Sequence, residues 1–151
     1  MCLTSDSDDG RGHGSKGSYR DLEVWKKACD LAEQVYLLTD GFPKTELYGL
    51  VRQMKEAAVS IPANIAEGCA RHGKAEFLHF LHIAAGSLAE TVTFLEISKR
   101  LSFGELSRYS TLEQLTREIG WMLYGLIRAV RNRPSRGPED STAEPPNHST
   151  T

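Results

Sequence analysis

The stretch QMKEAAVSIPANIAEG, residues 53–68, decides the fold. Met54, Ala58, Ile61 and Ile65 recur at steps of four, three and four, and Leu47 and Leu50 extend the series upstream. That spacing lines one face of an α-helix. Pro62 interrupts it. An interior proline removes one backbone hydrogen bond and crowds the preceding turn, at a cost of ~3 kcal/mol. The apolar phase is nevertheless the same on both sides of the ring. The stretch therefore reads as one helix over residues 45–70, kinked at Pro62.

The segments on either side follow the same rule. Residues 19–38 carry Leu22, Trp25, Cys29, Ala32 and Tyr36 at helical steps, widened by Leu31, Val35 and Leu38. Ser18 and Asp21 resemble a capping box, and Gly41 and Pro43 end the helix. Residues 74–101 put Phe77, Leu81, Ala84, Leu88, Thr91 and Leu95 on one face, and Gly104 breaks the pattern. A fourth helix starts between Leu106 and Leu112, with Ser110 and Glu113 as its capping box. Its stripe is Leu112, Leu115, Ile119, Met122, Leu126 and Ala129, and Pro134 stops it. No period-two run of β-branched residues signals a strand. Four helices with short connections predict an all-α fold, an antiparallel up-down-up-down four-helix bundle over residues 18–133.

Residues 1–17 and 134–151 are rich in Ser, Asp, Gly and Pro and have almost nothing to bury, so both are expected as disordered tails. The 151 residues suit one domain, and 40% hydrophobic with 25% charged residues is an ordinary soluble balance. A formal charge of −2 excludes a polycation that binds by total charge. Cys2, Cys29 and Cys69 are too widely spaced for a zinc site or a disulfide framework, and Cys29 and Cys69 are expected as buried free thiols. The start is acidic and not a signal peptide, and no apolar run approaches the ~18 residues of a membrane span. The cytoplasm is the expected location.

Two further rows concern contacts between elements. Gln53, Ala57, Ser60, Asn64, Glu67 and Arg71 run beside the core stripe of the second helix. Glu76, Phe80, Ile83, Ser87, Glu90 and Phe94 do the same on the third. Polar atoms at such flanks need partners. Gln53, Asn64, Glu67, Ser87 and Glu90 are therefore candidates to hydrogen-bond between helices and fix their register, with a half-solvated flank as the plain alternative. On the opposite side of the third helix lie His82, Ala85, Gly86, Ala89 and Thr93, where Glu and Lys would be usual. Such small residues admit a close neighbour and mark a candidate subunit interface.

Residues 53–68 together with AAGSLAET, residues 84–91, resemble the two signature segments of the four-helix bundle proteins encoded in bacterial 23S ribosomal RNA intervening sequences. DLEVWKKACDLAEQVY and FPKTELYGL resemble that family's first helix and the lead into its second. The resemblance covers residues 19–132. It implies an antiparallel bundle that assembles into a ring, typically a homopentamer, with no established enzymatic activity. Related bundles accompany the reverse transcriptases of diversity-generating retroelements, where they bind nucleic acid and the polymerase. Those relatives are markedly basic, whereas residues 19–133 here hold fifteen Lys and Arg against fourteen Asp and Glu.

The distribution of charge is more telling than its sum. In an up-down bundle the chain start, the second connection and the end of the fourth helix share one pole. Arg20, Arg71, His72, Lys74, Arg128, Arg131 and Arg133 would gather there and could take nucleic-acid phosphates. The helix dipole alone also favours cations at a helix C-terminus. No aromatic RNA-recognition motif or zinc finger points to sequence reading, so any binding would be backbone-directed.

Enzyme chemistry finds little support. Glu76 and His79 form one Glu-x-x-His pair, where a di-iron bundle needs two such pairs and two further glutamates. The Arg71, His72 and His79 spacing does not match the ribonuclease arrangement of Arg and His. GRGHG near the start lacks a phosphate-loop context. The sequence thus predicts no catalytic residues, metal or cofactor. It predicts a self-associating binding or scaffold protein, with RNA or DNA as ligand at the basic rim and no membrane partner. The alternative is a pure protein-interaction module, with a partner such as a reverse transcriptase.

Overall fold

The computed structural model describes residues 17–134, and the expected tails lie, apart from their innermost residues, outside that range. Four helices make up the described residues: α1 (Glu23–Thr39), α2 (Leu50–Ala70), α3 (Lys74–Arg100) and α4 (Ser107–Arg131). Short 3-10 turns at Tyr19–Asp21 and Lys44–Glu46 precede α1 and α2. No strand occurs among the described residues.

Pairs of touching residues give the helix directions. Met54 of α2 meets Ser98 of α3, Ser60 meets Ser87, and Gly68 lies against Phe77. The numbers rise in one helix as they fall in the other, so α2 and α3 are antiparallel. Lys99 with Glu113, Leu88 beside Gly120 and Lys74 with Arg133 show the same for α3 and α4. Lys27 meets Glu118, while Glu33 and Gln34 share a groove with Thr111 and Gln114, which sets α1 against α4. The molecule is an antiparallel four-helix bundle.

The core stripes of α2 and α3 are those the sequence spacing gives. Met54, Ala58, Ile61 and Ile65 are fully buried, and every member of the Phe77-to-Leu95 stripe is buried. α2 runs unbroken through Pro62, because the buried residues flanking the ring stay in phase. The stripe of α1 is rotated by one residue from the expected one. Val24, Ala28, Leu31, Val35 and Leu38 are buried, whereas Tyr36 is 46% exposed and Trp25 and Ala32 sit at the edge. Both sets have helical spacing. The branched aliphatics take the centre, and the amphipathic rings take the flank, where cations lie over their faces. Lys55 lies 4.4 Å from the Tyr36 ring centroid, and Arg20 covers Trp25 at 5.8 Å.

Helix starts also differ from expectation. Ser18 and Asp21 do form a reciprocal capping box, but it closes the 3-10 turn one step before α1. α2 begins at Leu50 rather than residue 45, and Leu47 is 51% exposed. α4 begins at Ser107, inside the expected window from Leu106 to Leu112, which carries Tyr109 into the core, where its hydroxyl donates to the Phe103 carbonyl at 2.8 Å. Ser110 therefore lies inside the helix and donates to the Ser107 carbonyl, while Glu113 pairs with Lys99, so the expected capping box does not form. Between α3 and α4, Gly104 takes φ +71 with Leu38 and Phe42 atoms 3.0 Å from where a Cβ would stand, so only glycine fits the turn.

Cys29 is a half-buried free thiol, and burial pushes its pKa up. Cys69 is disulfide-bonded, not the free thiol expected. α3 is long and apolar enough to cross a membrane by length and composition, with a mean hydropathy of 1.3 in its most apolar window. Counting unbroken apolar runs misses this, because His79, His82 and Glu90 interrupt the helix, as do Ser87, Thr91 and Ser98. Those three are buried against the bundle, and their hydroxyls are hydrogen-bonded there.

Candidate functional site

The antiparallel order brings the seven rim residues to one pole. The Lys74 ammonium donates to the Arg133 carbonyl at 2.7 Å, joining the start of α3 to the end of α4. Arg71 and His72 lie in the adjoining connection, and the turn that carries Arg20 packs on α1 and α2. Their charges are not equally available. The Arg71 guanidinium bonds Glu67, stands 4.0 Å from Glu76 and lies 5.1 Å from the Phe80 ring centroid. Arg20 rests on Tyr19 and Trp25. Arg128 and Arg131 are exposed, and among the described residues neither has a carboxylate at ion-pair distance. The open positive charge of the pole is therefore concentrated on the last turns of α4.

Between α2 and α3 the polar seam is narrower than the sequence suggests. The hydroxyls of Ser60 and Ser87 lie 2.8 Å apart, and the Asn64 amide donates to Ser60 Oγ at 2.9 Å and to the Ser60 carbonyl at 2.8 Å. Asn64 and Ser87 thus belong to the interhelix network, and its hub is Ser60, a row member not singled out. Gln53, Glu67 and Glu90 do not belong to it: all three are exposed, and Glu67 accepts from Arg71 within its own helix. Long polar side chains at a flank reach water by extending, whereas the short hydroxyls cannot and pair with each other. Ser98, donating to Phe94 O and Met54 Sδ, is a second link that the apolar pattern concealed.

Of the small residues on the outside of α3, His82, Gly86, Ala89 and Thr93 are exposed, and Thr93 donates to the Ala89 carbonyl. Ala85 differs: it is half-buried and packs on the core. A Cβ at Gly86 would meet nothing within 4 Å. His82 and Ala85 face α4 across an open groove of about 580 Å³ that also includes Leu88, Tyr124, Ile127 and Arg128.

One surface was missed by the sequence reading. Arg117, Trp121, Tyr124, Arg128 and Arg131 follow one another on α4 at steps of four, three, four and three. All are exposed, Trp121 by 79% and Tyr124 by 68%. The signal was the same helical spacing used to find the core, applied to arginines and aromatics on the opposite face. A polar groove of about 370 Å³ between α1 and α4 was also unforeseen. There the Lys27 ammonium lies 2.6 Å from Glu118. Their hydrogen bond raises the Lys27 pKa and lowers that of Glu118. Among the described residues no three His, Cys, Asp or Glu side chains are grouped to hold a metal ion, and His79 is exposed beside Phe80.

The sequence profile of the 23S rRNA-intervening sequence protein family matches residues 20–125. The chain belongs to that family. Among solved structures, this family member is similar to a protein of unknown function from the S23 ribosomal protein family of Bacteroides thetaiotaomicron. The TM-score is 0.62 at 24% identity, over 70% of this chain and 98% of the other. At that identity the likeness speaks to the fold. No curated protein matches the chain.

Proposed function

We infer that this family member is a non-enzymatic, self-associating bundle that acts as a binding scaffold and takes nucleic-acid backbone at its basic pole. One observation carries the reading: Arg128 and Arg131, without acidic partners among the described residues, stand at the same pole as His72, Lys74 and Arg133. Guanidinium groups held this way suit phosphate oxygens, which they can grip with paired hydrogen bonds. A ring of copies with parallel axes would repeat the cluster around one rim. Five copies is the number that the family resemblance implies, and a cytoplasmic protein without membrane attachment suits such a role.

The test is a titration of RNA and single-stranded DNA at several salt concentrations, beside light scattering for subunit number. Arg128→Glu with Arg131→Glu should weaken binding and flatten its salt dependence, since each lost phosphate contact removes ~0.7 from the log–log slope on single strands. Binding indifferent to both substitutions sinks the proposal. A second reading has its own support, the small-residue face of α3 and the groove beside it. Under that reading the surface receives a protein, such as a reverse transcriptase, and no nucleic acid binds at any salt.

A further inference from the structure

We propose that the exposed face of α4 is a stacking surface for single-stranded nucleic acid, with Trp121 and Tyr124 taking bases and Arg117, Arg128 and Arg131 taking phosphates. The inference rests on the basic-pole reading above and specifies its ligand. The five residues share one stripe, spanning ~21 Å at 1.5 Å per residue. Trp121 and Tyr124 are next to each other in it, separated by ~4.5 Å of rise. Stacked bases lie ~3.4 Å apart and separate further in an extended strand, so neighbouring bases can reach both rings. Arginines stand on both sides of the aromatic pair, and the C-terminal two continue into the pole of His72, Lys74 and Arg133. A cationic track interleaved with open rings is what strand-binding surfaces use, since every base has a π-face.

A second copy of the chain is the competing occupant, and charge speaks against it. From Arg117 to Arg131 the stripe contains no carboxylate. Joined patch to patch, two copies would set arginines against arginines, whereas a ring contact would place the stripe against a different surface of the next copy, an outcome the assembly measurement below reads. A duplex fits less well than a single strand, because its bases are already stacked and show only their edges in the grooves, leaving no free face for the rings.

The test uses the full-length protein, an oligothymidylate of about 12 nucleotides and a duplex of the same length. The single strand should bind more tightly and quench tryptophan emission. Trp121→Phe keeps a stacking ring but removes the more exposed of the two tryptophan emitters, so quenching should fall to whatever Trp25 alone reports while affinity persists. Tyr124→Ala should weaken single-strand binding about 5- to 150-fold and leave duplex binding unchanged. Tyr48→Ala, which removes an 85% exposed ring at the opposite pole, should change neither. Equal affinity for strand and duplex without quenching overturns the stacking surface and leaves the basic pole standing. No binding of either at low salt overturns both. Dissociation of the assembly on Tyr124→Ala makes this face a subunit contact and overturns the proposal.

Discussion

Replacing Gly68 and Gly86 by alanine, separately, measures how closely α2 and α3 approach. Both glycines lie inside helices, so each exchange gains ~1 kcal/mol of helix propensity. Their surroundings differ. A Cβ on Gly68 would stand 2.9 Å from Phe77 Cδ2 and 3.0 Å from Phe80 Cβ, the second an atom that moves only with the backbone. Relieving those contacts forces the two helices apart by a few tenths of an ångström, and overpacking of this kind costs ~1–3 kcal/mol. Gly86→Ala meets no atom within 4 Å and keeps the propensity gain. Because propensity cancels between the variants, Gly68→Ala should be less stable than Gly86→Ala by ~1–3 kcal/mol. That is a gap of roughly 4–12 °C in melting temperature for a domain of this size. Urea and thermal melts at several protein concentrations read the difference, and their concentration dependence separates folding from assembly. Equal stability of the two variants would refute the close approach and the α2–α3 packing built on it.

Ser60→Ala and Ser87→Ala should each destabilise the bundle, and the double variant should cost less than the sum, with a coupling of ~0.5–1.5 kcal/mol in urea melts. Strict additivity would mean that the two hydroxyls do not bond. Glu118 has a lowered pKa, chiefly from its hydrogen bond to Lys27. Its contribution to stability is therefore complete above the ordinary carboxylate range and fades as pH falls through that range to below its folded value. Glu118→Gln should flatten that part of a melting-temperature profile. The effect should be small and salt-sensitive, because the pair is about one-third exposed. A profile with unchanged slope would remove the ion pair as a cause.

Helical spacing made the core stripe of α3 readable residue by residue, although Ile83, Val92 and Ile97 leave its outer side partly apolar. α1 was ambiguous because two adjacent phases are both apolar. Sequence spacing cannot weigh Trp25 and Tyr36 against Val24 and Ala28, and that choice is made by the cations at the flank and the width of the core. The expected capping box at Ser110 fails for a related reason: the demand that Tyr109 be buried puts the start of α4 at the early edge of its expected window, ahead of Ser110. At the pole, chain order alone brought the seven basic residues together. It could not tell that Glu67 and Glu76 neutralise Arg71 whereas Arg128 and Arg131 stay open, because that depends on which side chains lie across a connection. The α4 stripe was legible, but the search for apolar faces passed over the aromatics on the exposed side.

The clasp from Lys74 to the Arg133 carbonyl has a topological corollary. It fixes the exit of the fourth helix beside the second connection, where the described chain also enters at residue 17. Whatever is joined directly to residue 17 or to residue 134 would thus be delivered to the same place, crowding the arginines whose binding is to be measured. A permuted chain, tethered across those two ends and reopened at residues 44–49 on the far side, would leave that neighbourhood unobstructed.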